Sequence, residues 1–135
     1  IFNEFLELRS GQKVHFELGR SLVGQCGSLI SRVLYIKHGL KKNFAILDAG
    51  MTELIRPMLY NAHHEIENLS CTSDELVKYD IVGPICESTD CFAKDLEMSE
   101  IKRGDLFQIK SAGGYGEVMA SDYNLKTLHE AQYSE

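Results

Sequence analysis

Apolar and polar positions alternate over short runs along most of the chain, and helical spacing appears in only two places. "SLISRVLYIK" (28–37) is rich in β-branched and aromatic residues and predicts a strand. The basic turn "HGLKKN" follows, and "FAILDAG" (44–50) returns as a second strand. Further strands are expected at "KVHFEL" (13–18), "HHEIENL" (63–69), "LVKYDIVG" (76–83) and "DLFQIKS" (105–111). Phe2, Phe5, Leu6 and Leu8 have helical spacing, with Gly11 placed to end that helix. A second short helix is expected over 52–62, with Thr52 as N-cap and Leu54, Met58 and Leu59 on one side. Pro57 restricts its first turn. "KRGD" (102–105) reads as a turn and "AGGYGE" (112–117) as a glycine-rich loop. The pattern predicts a mainly β sandwich or barrel with a short helix, without repeats, low-complexity tracts or linkers.

Composition narrows the function classes. At 135 residues the chain fits one domain, and 44% hydrophobic with 25% charged residues is ordinary for a globular protein. A net charge of -6 argues against a nucleic-acid or anionic-membrane surface. No apolar run has the length of a membrane span, and no signal peptide is visible. Cys26, Cys71, Cys86 and Cys91 form neither a C-x-x-C pair nor a zinc-like spacing. They read as reduced thiols of a cytoplasmic protein, Cys26 and Cys71 as packing residues. The chain opens on Ile1 rather than Met, and the expectation is a piece of a longer chain.

Five segments set reactive or charged groups beside chain-bending glycine or proline: "ELGR" (17–20), "DAGM" (48–51), "IRPMLY" (55–60), "GPICESTD" (83–90) and "GGYG" (113–116). Singly, each has an ordinary structural explanation: a turn with a solvated arginine, a helix edge, a buried thiol, a loop aromatic. The cysteine and glutamate side by side after the strand at 76–83 are the hardest to explain by packing.

Together, in this order and spacing, the segments resemble the carboxyl-terminal part of the diaminopimelate decarboxylase family. These are pyridoxal-phosphate enzymes grouped with the ornithine and arginine decarboxylases. The resemblance runs from about Val14 to Asn124, and C-E-S-x-D is its most specific element. It implies the carboxyl-terminal β domain of a two-domain enzyme. Residues 1–27 would end an amino-terminal (β/α)8 barrel, and 28–135 would form the β domain. The rest of the barrel, with the cofactor-binding lysine, is absent from this sequence, so the piece alone is expected to be inactive.

The resemblance also implies residue roles. Glu17 would face the pyridine nitrogen of pyridoxal 5'-phosphate and keep it protonated, making the ring a better electron sink. Gly19 would let the backbone approach the phosphate, and Arg20 would bind cofactor or the substrate carboxylate. Leu18 replaces a proline common in the family. Arg56 and Tyr60, four apart on one helix face, would grip the carboxylate at the far end of the substrate. Cys86 would donate a proton after carbon dioxide leaves, and Glu87 would receive the distal ammonium. Ser88 and Asp90 would shape their loop through hydrogen bonds to the backbone. Tyr115 would reach both cofactor and substrate. In this family the cysteine loop enters the neighbouring subunit's site, which implies a homodimer acting on a small amino acid.

A substrate with both a carboxylate and an ammonium at its far end, such as meso-2,6-diaminopimelate, suits Arg56 together with Glu87. Ornithine lacks the distal carboxylate. Carboxynorspermidine or another basic amino acid remains an alternative, as does a non-catalytic β-rich dimerisation module. After Asn124 the resemblance weakens.

Overall fold

The computed structural model describes residues 4, 7, 11–70 and 73–134. The helix expected around Phe2–Leu8 and the packing role of Cys71 lie outside the described residues. The protein is mainly β. Six strands, β1 (Leu29–His38), β2 (Asn43–Leu47), β3 (Ile66–Asn68), β4 (Leu76–Val82), β5 (Cys91–Ser99) and β6 (Leu106–Ile109), form one sheet in the order β3-β6-β1-β2-β4-β5. The sheet curls into a nearly closed barrel. All neighbours are antiparallel except β2 and β4, whose parallel pairing sets Asn43 opposite Tyr79 and Ile46 opposite Val82.

The core follows from alternation. Val33, Ala45, Leu47, Tyr79, Ile81, Phe107 and Ile109 come from four adjacent strands and are all buried. Their neighbours in sequence mostly face outward, as the pleat requires. A bulge in β1 between Val33 and Tyr35 shifts the phase, leaving both Leu34 and Tyr35 exposed.

Two sequence expectations fail. Residues 13–18 form no strand, because they are largely exposed and have no ladder partner among the described residues. Conversely, β5 has no counterpart among the expected strands. Two register irregularities against β4, between Tyr79 and Ile81 and between Ile81 and Val82, break the alternation that would reveal it. At the first, Asp95 adopts φ 51°, and its amide donates to the Asp80 carboxylate at 2.7 Å.

The second helix is shorter than expected. Helix α1 is the single turn Arg20–Val23, and α2 runs Arg56–Tyr60 with Ile55, not Thr52, as N-cap. Thr52 is buried, and its hydroxyl donates to Glu53 at 2.8 Å. A turn in which the Gly50 carbonyl accepts from both Glu53 and Leu54 delays the start of α2. Pro57 then falls within its first turn, where its missing N–H costs no hydrogen bond. Leu54 enters the core, whereas Leu59 is exposed.

Candidate functional site

The candidate residues lie on the loops and short helices that join or precede the strands. Buried Ser31 donates to Asp48 at 2.6 Å and accepts from the Ala49 amide at 3.1 Å, fastening the loop after β2 to β1. That loop runs through Gly50 and Met51 into α2. On α2, Arg56 and Tyr60 share a face, with the guanidinium carbon 5.3 Å from the ring centroid. Arg56 Nε is buried and has no hydrogen-bond partner. Glu53, the nearby acid that could have neutralised Arg56, is engaged elsewhere. It accepts from the Gly50 amide at 2.7 Å and stands 3.7 Å from Lys126.

Arg20, which ends "ELGR", and the residues just after it pack against "GGYG", almost a hundred residues away. Gly27 and Gly24 carbonyls accept from the amides of Ala112 (2.8 Å) and Gly113 (3.1 Å). A Cβ on Gly113 would overlap the Val23 carbonyl and lie 2.8 Å from the Gly27 nitrogen, so this approach requires glycine. The stem of Arg20 lies where a Cβ of Gly114 would come within 2.8 Å. Tyr115 follows at φ 65° and is exposed. Gly19 caps α1 with open space around its α-carbon, while Glu17 is exposed on the extended segment before it.

Cys86 and Glu87 are exposed on the loop between β4 and β5. Met51, Ile55, Glu87, Thr89, Ser121 and Tyr123 line a groove of about 350 Å³ beside it. Asp90 does bond the backbone, taking the amides of Met51 (2.7 Å) and Ile85 (2.8 Å), and burial pushes its carboxyl above the usual range. Ser88 instead donates to Glu87 at 3.3 Å. Cys26 is exposed rather than packed, with its thiol donating to the Val23 carbonyl at 2.9 Å. Cys91 is half-buried, and burial raises its thiol pKa.

The groove is invisible in the sequence. Met51, Ile55, Glu87 and Thr89 fall in segments singled out in the sequence, but their convergence with Ser121 and Tyr123 depends on tertiary contacts such as the Ser121 amide donating to the Thr52 carbonyl at 2.9 Å. Among the described residues, no His, Cys, Asp and Glu cluster could hold a metal ion, and no helix is long and apolar enough to cross a membrane.

A mainly β sheet domain carrying such groups on its connecting loops and short helices defines a class, and comparison with known proteins identifies it. Residues 21–113 match the family described as pyridoxal-dependent decarboxylase, C-terminal sheet domain. The chain belongs to that family. It is 60% identical over 131 residues to a diaminopimelate decarboxylase of Bacteroides thetaiotaomicron, covering 96% of this chain and 33% of that protein. The crystal structure of diaminopimelate decarboxylase from Helicobacter pylori complexed with L-lysine superposes with a TM-score of 0.74 at 47% identity, covering 80% of this chain and 26% of that one. The corresponding M. jannaschii enzyme in co-complex with L-lysine gives a TM-score of 0.83 at 35% identity, covering 92% and 29%. The chain thus spans about a third of the length of such relatives.

Proposed function

We propose that this chain serves as the carboxyl-terminal part of an enzyme that decarboxylates meso-2,6-diaminopimelate to L-lysine and carbon dioxide. Residues 1–27 end its barrel domain and 28–135 form its β domain. The observation carrying this reading is the buried, unpartnered Nε of Arg56 beside Tyr60, while Glu53 is occupied. A buried donor left unpaired is costly, so this arrangement suits a group that accepts from outside the chain. A carboxylate fits the planar fork of an arginine. The L-lysine in complex with the two related enzymes is the product such a reaction would release.

The residues present fit pyridoxal phosphate along one rim. Arg20 and Tyr115 both offer exposed donors, the stem of Arg20 lying against Gly114 next to Tyr115 in the chain, and the backbone at Gly19 is open to a close approach. When bound, the cofactor supplies the electron sink for the bond to carbon dioxide. Glu17 would hold the ring nitrogen protonated, Gly19 and Arg20 would bind the anionic groups, and Tyr115 would bridge cofactor and substrate. Arg56 and Tyr60 would bind the distal carboxylate and Glu87 the distal ammonium. Cys86 would return a proton to the substrate carbon once carbon dioxide has left. Cys86 and Glu87, exposed here, would act in the neighbour's site, which makes the enzyme a homodimer. A cytoplasmic location belongs to the same reading.

The test is carbon dioxide release by the full-length enzyme from meso-diaminopimelate, ornithine and carboxynorspermidine. Diaminopimelate should be favoured by at least about 100-fold in kcat/KM, as two charge-assisted contacts allow. Equal or better turnover of either competitor would overturn the assignment.

A further inference from the structure

We propose that Asp90 is a positioning residue whose single carboxylate locks the loop carrying Cys86 and Glu87 to the loop that launches Arg56 and Tyr60. Both groups of the reading above would then be set by one buried side chain that touches neither substrate nor cofactor.

The geometry is specific. Asp90 Oδ1 accepts the Met51 amide at 2.7 Å and Oδ2 accepts the Ile85 amide at 2.8 Å. Met51 lies within the turn closed by the Gly50 carbonyl, five residues before Arg56. Ile85 immediately precedes Cys86, and its carbonyl accepts from the Glu87 amide at 2.8 Å. The main chain of Asp90 closes the same loop, accepting from the Gly83 amide and donating to the Glu87 carbonyl, both at 3.0 Å. Space is made for the carboxylate on both sides. A Cβ on Gly83 would overlap it, and one on Gly50 would lie 2.8 Å from Oδ2 and 2.9 Å from Pro84 Cδ.

The chemistry demands a carboxylate. Two amides from different loops point at one side chain, so both of its oxygens must accept. Asparagine presents one acceptor and one donor, and the donor would face an N–H. Glutamate adds a methylene to a centre already filled by Gly50, Gly83 and Pro84. The group is costly: burial pushes its carboxyl up despite the two amides, with Glu53 adding to the rise and Lys126 opposing it. Asp90 is only 3% exposed and has no ion-pair partner within 4 Å among the described residues. Its return is the fixed separation of two loops.

The test uses the full-length enzyme with Asp90→Asn. Three readouts are taken: alkylation of Cys86 by iodoacetamide, followed on its own peptide by mass spectrometry; steady-state kinetics; and the thermal midpoint. Freed from Met51 or Ile85, the loop should change the Cys86 alkylation rate at least about threefold. The value of kcat should fall tenfold or more, since a misplacement of about 1 Å can cost on the order of 100-fold. A merely structural role would lower the thermal midpoint and leave the alkylation rate of folded protein unchanged. An alkylation rate within twofold of wild type would overturn the proposal, whatever happens to kcat. If Asp90→Asn does not fold, Gly50→Ala crowds the carboxylate without removing it. The same readouts then apply, with the same thresholds for support and rejection. The proposal rests on the decarboxylase reading only for kcat. A wild-type enzyme inert towards diaminopimelate would sink that reading, while the alkylation ratio would still decide the role of Asp90.

Discussion

Arg56 holds its guanidinium carbon 5.3 Å from the ring centroid of Tyr60, one turn further along α2, with its Nε buried and unpaired. The stacking orients the fork, and a lysine cannot reproduce either the plane or the paired donors. Arg56→Lys in the full-length enzyme should therefore raise KM for diaminopimelate about 10- to 100-fold, equivalent to the roughly 1.5–3 kcal/mol of a charge-assisted contact. Some of the loss should appear in kcat, because remote binding also orients the reacting centre. Tyr60→Phe keeps the stack and removes only the phenol donor, so it should cost about 0.5–1.5 kcal/mol. Steady-state kinetics of the three proteins gives the order. A Lys variant milder than the Phe variant would contradict it.

Phe107 is fully buried on β6, between β1 and β3. Phe107→Ala should destabilise the domain by about 3–5 kcal/mol, as deletion of a buried ring does. Urea denaturation would show it as a lower midpoint at unchanged slope. A loss below about 1 kcal/mol would mean that the sheet closes over the cavity.

Strands are legible in the sequence where alternation is unbroken. β1 and β4 match their expected runs to within one residue, while β2 and β6 start within one residue of theirs but end three and two residues early. β5 is illegible because bulges at Asp95 and near Val82 interrupt the period, and because Lys94, Asp95 and Glu97 make it look like a surface loop. The candidate residues are legible as chemistry, since Arg56, Tyr60, Cys86 and Glu87 each stand near Pro or Gly in short motifs. Their mutual arrangement is not. It depends on long-range backbone contacts, such as Gly113 against Val23 and Gly27, and on one buried carboxylate joining residues 51 and 85. Thr52 looks like the cap of a helix starting there, but its hydroxyl is engaged by Glu53 and the helix begins four residues later.

The bulge that hides β5 is held by charge. Lys42 reaches Asp80 at 3.1 Å and Asp95 at 3.2 Å, and Asp80 also accepts the Asp95 amide. Asp80→Ala leaves that amide without its partner and should cost about 1–3 kcal/mol. The pairing with Asp80, and then with Asp95, raises the Lys42 pKa. A raised lysine pKa means that the folded state binds the proton more tightly. Its contribution is complete below the unfolded value near 10.4 and disappears as pH rises through the folded value. On the alkaline side, wild type and Lys42→Met should therefore converge in stability only in strongly alkaline buffer. Convergence already at neutral pH would show that the ion pair contributes nothing there.

Cys86 is exposed, and the proposed function assigns it to a neighbour's site. Cys86→Ala should leave substrate binding intact, so KM should change little. Turnover should fall by roughly the 10²–10⁴-fold typical of a positioned acid. The decisive experiment mixes two inactive forms of the full-length enzyme, one with Cys86→Ala and one lacking the cofactor-binding lysine of the barrel. Each defective dimer has two dead sites. In a mixed dimer, one site combines the intact barrel of the Cys86→Ala chain with the intact Cys86 of its neighbour. The other site receives both defects. Random exchange of equal amounts makes about half the dimers mixed, each with one of its two sites working, so about a quarter of wild-type carbon dioxide release should return. If Cys86 served its own chain's site, every site in the mixture would lack one group and no activity would return. Subunit exchange proven by native mass spectrometry, without recovery, would therefore reject the shared site and with it the functional case for a dimer.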